Sequence, residues 1–148
     1  MGQLALPPDG PVYVDTNVVI YLVERIEPYL PASAPLWDAL EAGTLIVLTS
    51  QLTLLEVLVK PLREGNAVVA ELFRNVLLST AGLSCLPITR GILEAAAQLR
   101  AQYNLKTPDA IHAATALDAR STLFVTNDAA FQRIPGLNVA VLAEVAAS

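Results

Sequence analysis

A single cysteine, Cys85, stands in a chain of 148 residues, so neither an intramolecular disulfide nor a cysteine-based zinc cage can form. The one histidine, His112, equally excludes a zinc site built from several imidazoles. Such sparing use of cysteine fits a reducing, cytoplasmic setting. Basic residues are also scarce: nine Lys and Arg face fourteen Asp and Glu, for a net charge of −5 and an isoelectric point near 4.7. That balance lacks the usual footprint of a phosphate binder, although cations held by clustered carboxylates would reverse the local electrostatics. Long hydrophobic runs are missing too, despite 54% hydrophobic residues and a mean hydropathy of +0.52. Runs such as residues 18–23 and 45–48 fall far short of the ~20 residues needed to span a bilayer, so no membrane segment is expected. The apolar surplus instead suits a sheet covered on both faces by helices, with an apolar contact surface left for a partner. Residues 1–10, MGQLALPPDG, have no basic region and are broken by Pro7 and Pro8. They read as a short leader of one domain covering 1–148, and not as a signal peptide.

Several catalytic signatures are absent as well. No G-x-S-x-G elbow accompanies His112, and neither G-x-x-x-x-G-K-[ST] nor G-x-G-x-x-G occurs. A phosphoaspartate chemistry would call for a strand-end Lys, and the only lysines, Lys60 and Lys106, follow no expected strand.

What is present begins with Pro11 to Tyr21, PVYVDTNVVIY. The β-branched and aromatic run Val12–Val14 predicts a strand, and the apolar series after Asn17 predicts a helix running to Val23 or Arg25. Asp15 therefore sits at a strand-to-helix junction, where open parallel sheets place their ligand crevice. Pro28 and Pro31 predict a loop, residues 35–41 a short helix stopped by Gly43, and TLIVLT (44–49) a strand buried on both faces. Ser50 caps a helix, QLTLLEVLVK, that Pro61 ends or kinks. On its wheel Glu56 shares a stripe with Leu52 and Thr53, in a setting where an unpaired carboxylate is costly; an exposed Glu on an amphipathic helix is the plain alternative. Residues 62–66 predict a polar turn, 67–78 a helix, 83–88 a strand, and Thr89 caps a helix ending near Asn104. In LKTPDAIHAATALDA, Thr107 as cap and Pro108 at the first helical position announce a helix with Asp109 in its first turn, a placement that dipole compensation alone would explain. His112 reads as a rim or packing residue, since a lone histidine is no motif. TLFV (122–125) predicts a strand followed by Thr126, Asn127 and Asp128; a brief helix (129–134) and a last strand (138–142) close the chain.

Strands alternating with helices predict an α/β fold with a central, mostly parallel sheet of four to five strands and helices on both faces. Right-handed crossovers bring successive strand ends to one rim, so Asp15, Glu56, Asp109 and Asp128 are candidates to meet there. The sequence offers them no evident cationic partner. A hard divalent cation, Mg²⁺ or Mn²⁺, would supply the counter-charge and could activate water for attack on a phosphodiester.

VDTNVVIYL, SQLTLLE (50–56), TPDAIHAATAL and FVTNDAAF resemble, in order, the motifs of PIN-domain nucleases, and most closely those of VapC-type toxin ribonucleases. The resemblance runs from Val12 to about Leu142. It implies a three-layer PIN-like fold with Asp15, Glu56, Asp109 and Asp128 as the acidic catalytic and metal site. Thr126 corresponds to the hydroxyl residue beside that cluster, and Asn17 and Asn127 to its polar surround. It further implies an RNA substrate, a homodimer and an antitoxin that covers the site. The alternative is an RNA-binding or regulatory PIN module without turnover.

Overall fold

The structure, a computed structural model, describes residues 1–148. Five strands, β1 (Val12–Val14), β2 (Val47–Ser50), β3 (Leu83–Leu86), β4 (Leu123–Thr126) and β5 (Val139–Val141), form one parallel sheet in the order β3-β2-β1-β4-β5. Seven helices connect and follow them: α1 (Thr16–Glu24), α2 (Tyr29–Glu41), α3 (Gln51–Arg63), α4 (Ala67–Ser79), α5 (Arg90–Tyr103), α6 (Thr107–Asp118) and α7 (Leu142–Ala147), with a 3₁₀ turn at Ala129–Arg133.

Strand side chains alternate between two cores, which makes three layers. Val12, Val14, Val47 and Val125 face Val18 and Val19 of α1, Leu36 of α2, Val57 of α3, Phe73 of α4 and Leu142 of α7. Tyr13, Leu48 and Phe124 face the other way, against Ile92 of α5, the alanines of α6 and Phe131. Tyr13 stacks on Phe124 with ring centroids 5.2 Å apart, and Ala110, Ala113 and Ala116 are small enough to let α6 lie close on that pair. A central strand covered on both faces must be apolar throughout, as β1 is. Much of the high mean hydropathy is spent there. Other apolar residues lie on the surface of α3 and α4, where Leu55, Leu62, Val68 and Leu72 are exposed. No helix is long and apolar enough to cross a membrane.

Several boundaries differ from those expected. The loop assigned to Pro28 and Pro31 is the start of α2, which runs unbroken through Pro35. Pro31 is its third residue, where an N–H would find no intrahelical acceptor, so only Pro35 removes a bond. The burial of Ala32, Leu36 and Leu40 holds the helix together across it. Gly43, with φ +75, stops the chain just beyond α2 as anticipated. β2 starts later than expected, at Val47, and α3 passes Pro61 by two residues. Helix α6 is flanked by Lys106, not capped by Thr107, whose hydroxyl accepts a bond from Arg100 instead (2.9 Å). The short α7 has no counterpart in the sequence reading. The expected leader is docked: Leu4 is buried, and its N–H donates to the Ala32 carbonyl (2.8 Å).

The strand order sets one edge of the sheet apart. From β1 the chain moves outward to β2 and β3, then returns to the opposite side of β1 for β4 and β5. The reversal falls between β1 and β4, the topological switch point at whose carboxyl edge doubly wound sheets bind ligands.

Candidate active site

Asp15 leaves β1 at that edge, in extended conformation (φ −84, ψ 179), its N–H still bonded to the Val125 carbonyl of β4. It occupies the cap position of α1 without capping it. Its Oδ2 accepts a 2.5 Å hydrogen bond from the Thr126 hydroxyl at the end of β4, and Oδ1 is buried without a hydrogen bond, although the Val18 N–H of α1 faces the carboxylate. Only 6% of the residue is exposed. Burial pushes its pKa up from 3.8 to about 6, against the pull of the Thr126 bond, and the charge of Asp109 adds to the rise. Thr126 serves both strand ends, because its Oγ1 also accepts from the Asp128 N–H (3.1 Å).

Asp109 stands in the first turn of α6, half-buried. Burial raises its pKa, as does the charge of Asp128; nearby Lys106 partly compensates, a cationic neighbour the sequence reading did not assign. Asp128 is exposed and caps the 3₁₀ turn through the Ala130 N–H (2.9 Å). Glu56 reaches the rim from the second turn of α3, where its Oε1 takes bonds from the Thr16 hydroxyl (2.6 Å) and from His112 Nε2 (3.0 Å). Burial alone would raise its pKa, but these two donors reverse the sign and hold it below the ordinary value. The four acids thus share one rim and feel one another's charge. No three of them, with or without His112, converge closely enough to enclose an ion together.

The polar residues beside them divide. Thr126 touches Asp15 directly. Asn127 ties β4 to two helices, donating to the Tyr21 hydroxyl (3.1 Å) and accepting from the Ala143 N–H (2.8 Å), while Asn17 is exposed and makes no side-chain hydrogen bond. Thr16 and Tyr13 entered no sequence argument about the site, and Thr53 only as a neighbour of Glu56 on its helix, yet all three join it. Thr53 lies 3.3 Å from Thr16, and the Tyr13 hydroxyl lies 2.7 Å from His112 Nδ1. His112 is packed, as expected of it, and also bonded into the acid site. The signal available was adjacency: Thr16 follows Asp15, and His112 lies one turn beyond Asp109.

The PIN domain family model matches residues 12–137. The chain belongs to the PIN domain family. PIN domains are generally nucleases and generally use divalent metals. Among solved structures this PIN domain is similar to a chain of a toxin–antitoxin complex from Klebsiella pneumoniae, with 26% identity and a TM-score of 0.61 over 88% of this chain and 97% of that one. It shares its fold with chains of VapBC2 from Rickettsia felis bound to a promoter DNA fragment (19% identity, TM-score 0.64, 88% and 98% covered) and of FitAcB from Neisseria gonorrhoeae (20%, 0.66, 89% and 98%). These relatives agree with the VapC-type resemblance carried by the motifs. No curated protein matches the sequence.

Proposed function

We propose that this PIN domain is a metal-dependent endoribonuclease and the toxin of a toxin–antitoxin pair, with Asp15, Asp109, Glu56 and Asp128 as its catalytic acids. The observation that carries this reading is the orphaned Oδ1 of Asp15, a buried carboxylate oxygen at the switch point that makes no hydrogen bond. Native structures seldom leave such an atom unsatisfied without a reason, and a hard cation is the missing partner that an all-oxygen rim fits best. Asp15 and Asp109 are the residues that would hold Mg²⁺ or Mn²⁺, with Asp128 beside Asp109 and the free oxygen of Glu56 contributing to the same field. Bound there, the cation would neutralise phosphate charge and lower the pKa of a water. The chain's own part is orientation: Thr126 fixes which Asp15 oxygen is left open, and the burial of Asp15 keeps competing water away. Lys106, exposed beside Asp109, is placed to meet the polyanionic substrate.

Cleavage of a single-stranded or looped RNA should therefore require Mg²⁺ or Mn²⁺, vanish with EDTA, return when the ion is restored and be indifferent to thiol reagents at Cys85. Full activity in a verified metal-free preparation would overturn the mechanism. RNA binding with no cleavage under any divalent ion would favour the module without turnover.

The exposed apolar residues of α3 and α4 support the partner half of the proposal, a homodimer whose site an antitoxin segment covers in the cytoplasm. The solved relative from Klebsiella pneumoniae is itself a toxin–antitoxin complex. Light scattering at micromolar concentration should give twice the 15.7 kDa chain mass, and a strictly monomeric profile would remove the dimer.

A further inference from the structure

Behind the acids lies a buried polar chain with a definite direction. Thr49 donates to the Val14 carbonyl (2.8 Å), so the 2.7 Å contact between Thr49 and Thr53 is donated by Thr53. The single hydroxyl hydrogen of Thr16 then goes to Glu56, its shortest contact at 2.6 Å against 3.2 Å to His112 Nε2 and 3.3 Å to Thr53. The Glu56 carboxylate only accepts, so His112 must present Nε2–H to it. The other ring nitrogen, Nδ1, meets the fully buried hydroxyl of Tyr13 at 2.7 Å, with the Thr49 hydroxyl also beside that oxygen. With its hydrogen on Nε2, the neutral ring offers Nδ1 as an acceptor to the Tyr13 O–H. The direction is therefore Tyr13 O–H to Nδ1 and Nε2–H to Glu56 Oε1, with the tautomer set by a tyrosine in the middle of the central strand.

We infer that His112 is a positioning residue: backed by Tyr13, it fixes Glu56 by one oxygen so that the other stays free to add to the field that would hold the cation. This inference rests on the metal-dependent reading above. Three features separate it from simple packing. Oε1 is held by two donors while Oε2 is held by none. The Glu56 side chain is 28% exposed, so without those donors it would be free to turn to solvent. And His112 is reached from behind by the Tyr13 hydroxyl, on a strand that also carries the chain into Asp15.

The test uses the two amides that each copy one half of the ring. His112→Gln can place an N–H where Nε2 lies and keep the bond to Glu56. His112→Asn can place an acceptor where Nδ1 lies and keep the bond to Tyr13, but cannot reach Glu56. Mn²⁺ affinity of the full chain is measured by calorimetry, and the melting temperature in EDTA separately. His112→Asn should weaken Mn²⁺ binding by about tenfold or more, the range seen when a group orienting a metal ligand is lost, and His112→Gln should recover most of it at a similar melting temperature. Tyr13→Phe removes one oxygen and leaves the core filled. It should weaken Mn²⁺ binding in the same direction, which keeps the inference testable if either His112 variant fails to fold. Wild-type affinity in His112→Asn and Tyr13→Phe would overturn it, as would equal losses in the Asn and Gln variants that track melting temperature. Because binding is read apart from cleavage, the two readings fail separately. Wild-type protein that binds Mn²⁺ through this chain yet cuts no RNA removes the nuclease and leaves the inference. RNA cleavage with Mn²⁺ affinity insensitive to all three changes does the reverse.

Discussion

Asp15→Asn should abolish RNA cleavage and yet raise the melting temperature of the metal-free protein near neutral pH. The pKa of Asp15 rises on folding, from an ordinary 3.8 to about 6, chiefly through burial. A group whose folded pKa is raised stabilises the fold fully below its unfolded pKa, and that contribution is lost as pH climbs through the folded value. For Asp15 the window is roughly pH 4 to 6, and the shift corresponds to about 3 kcal/mol at most. Asn keeps the shape and can still accept the Thr126 bond, but it carries no charge at any pH. Its amide nitrogen would occupy the place of the orphaned Oδ1, and an unpartnered buried donor costs about 1–3 kcal/mol, so the net gain should be about 1 kcal/mol near neutral pH, and negative below about pH 4. For a chain of this size that is a rise of about 2–4 °C. Asp109→Asn should act in the same direction with a smaller effect, because Asp109 is only half-buried and already has Lys106 nearby. Melting curves in EDTA and in Mn²⁺ decide the matter. The wild-type protein gains stability from an ion that binds only its folded state, and both Asn variants should gain much less. Equal metal-induced shifts in all three proteins would mean that neither carboxylate holds the ion.

Why Asp15 could be found from the sequence, and its network could not, follows from the range of the forces involved. A strand buried on both faces must be an unbroken β-branched or aromatic run, so Val12–Val14 announces itself, and a carboxylate directly after it has nowhere to be but the rim. Asp109 is equally local, introduced by a proline that marks the helix start. Glu56 was half legible: the wheel that groups it with Thr53 is right, since both side chains reach Thr16, but the partner that matters comes from another helix. The chain from Tyr13 through His112 to Glu56 joins residues 99 and 56 positions apart, and nothing in local periodicity encodes such a pairing. The fold shows the same division. Apolar runs and caps located β1, α3, α5 and β4, whereas α2 was cut short because two prolines look like a loop until the core they cover is known. Helix α7, six residues long, is too short to carry a period and exists because Leu142 is buried against the sheet.

Thr126→Val should have the opposite sign on stability and a comparable effect on activity. Valine matches threonine in shape, so this fully buried position stays filled and only the hydroxyl is lost. That hydroxyl has two partners: it donates to Asp15 Oδ2 and accepts from the Asp128 N–H. Without it both carboxylate oxygens of Asp15 are unpaired in a dry site, and the strand end that carries Asp128 loses its anchor to Asp15. A hydrogen bond to a buried charged group contributes about 1.5–3 kcal/mol, so Thr126→Val should destabilise the metal-free protein by about 2 kcal/mol near neutral pH, and by less where Asp15 is protonated. Thr126→Ser keeps the hydroxyl and should lose only about 1 kcal/mol of methyl burial, with cleavage largely retained. The sharper measurement is the double-mutant cycle with Asp15→Asn. If the 2.5 Å contact is a charge-assisted bond, removing the hydroxyl should cost less once residue 15 is neutral, and denaturant titrations of the four proteins should show a coupling of about 1 kcal/mol or more. Additive effects would mean that the contact carries no energy of its own. The open oxygen of Asp15 would then be set by the backbone at the end of β1, and Thr126 would have no part in aiming it.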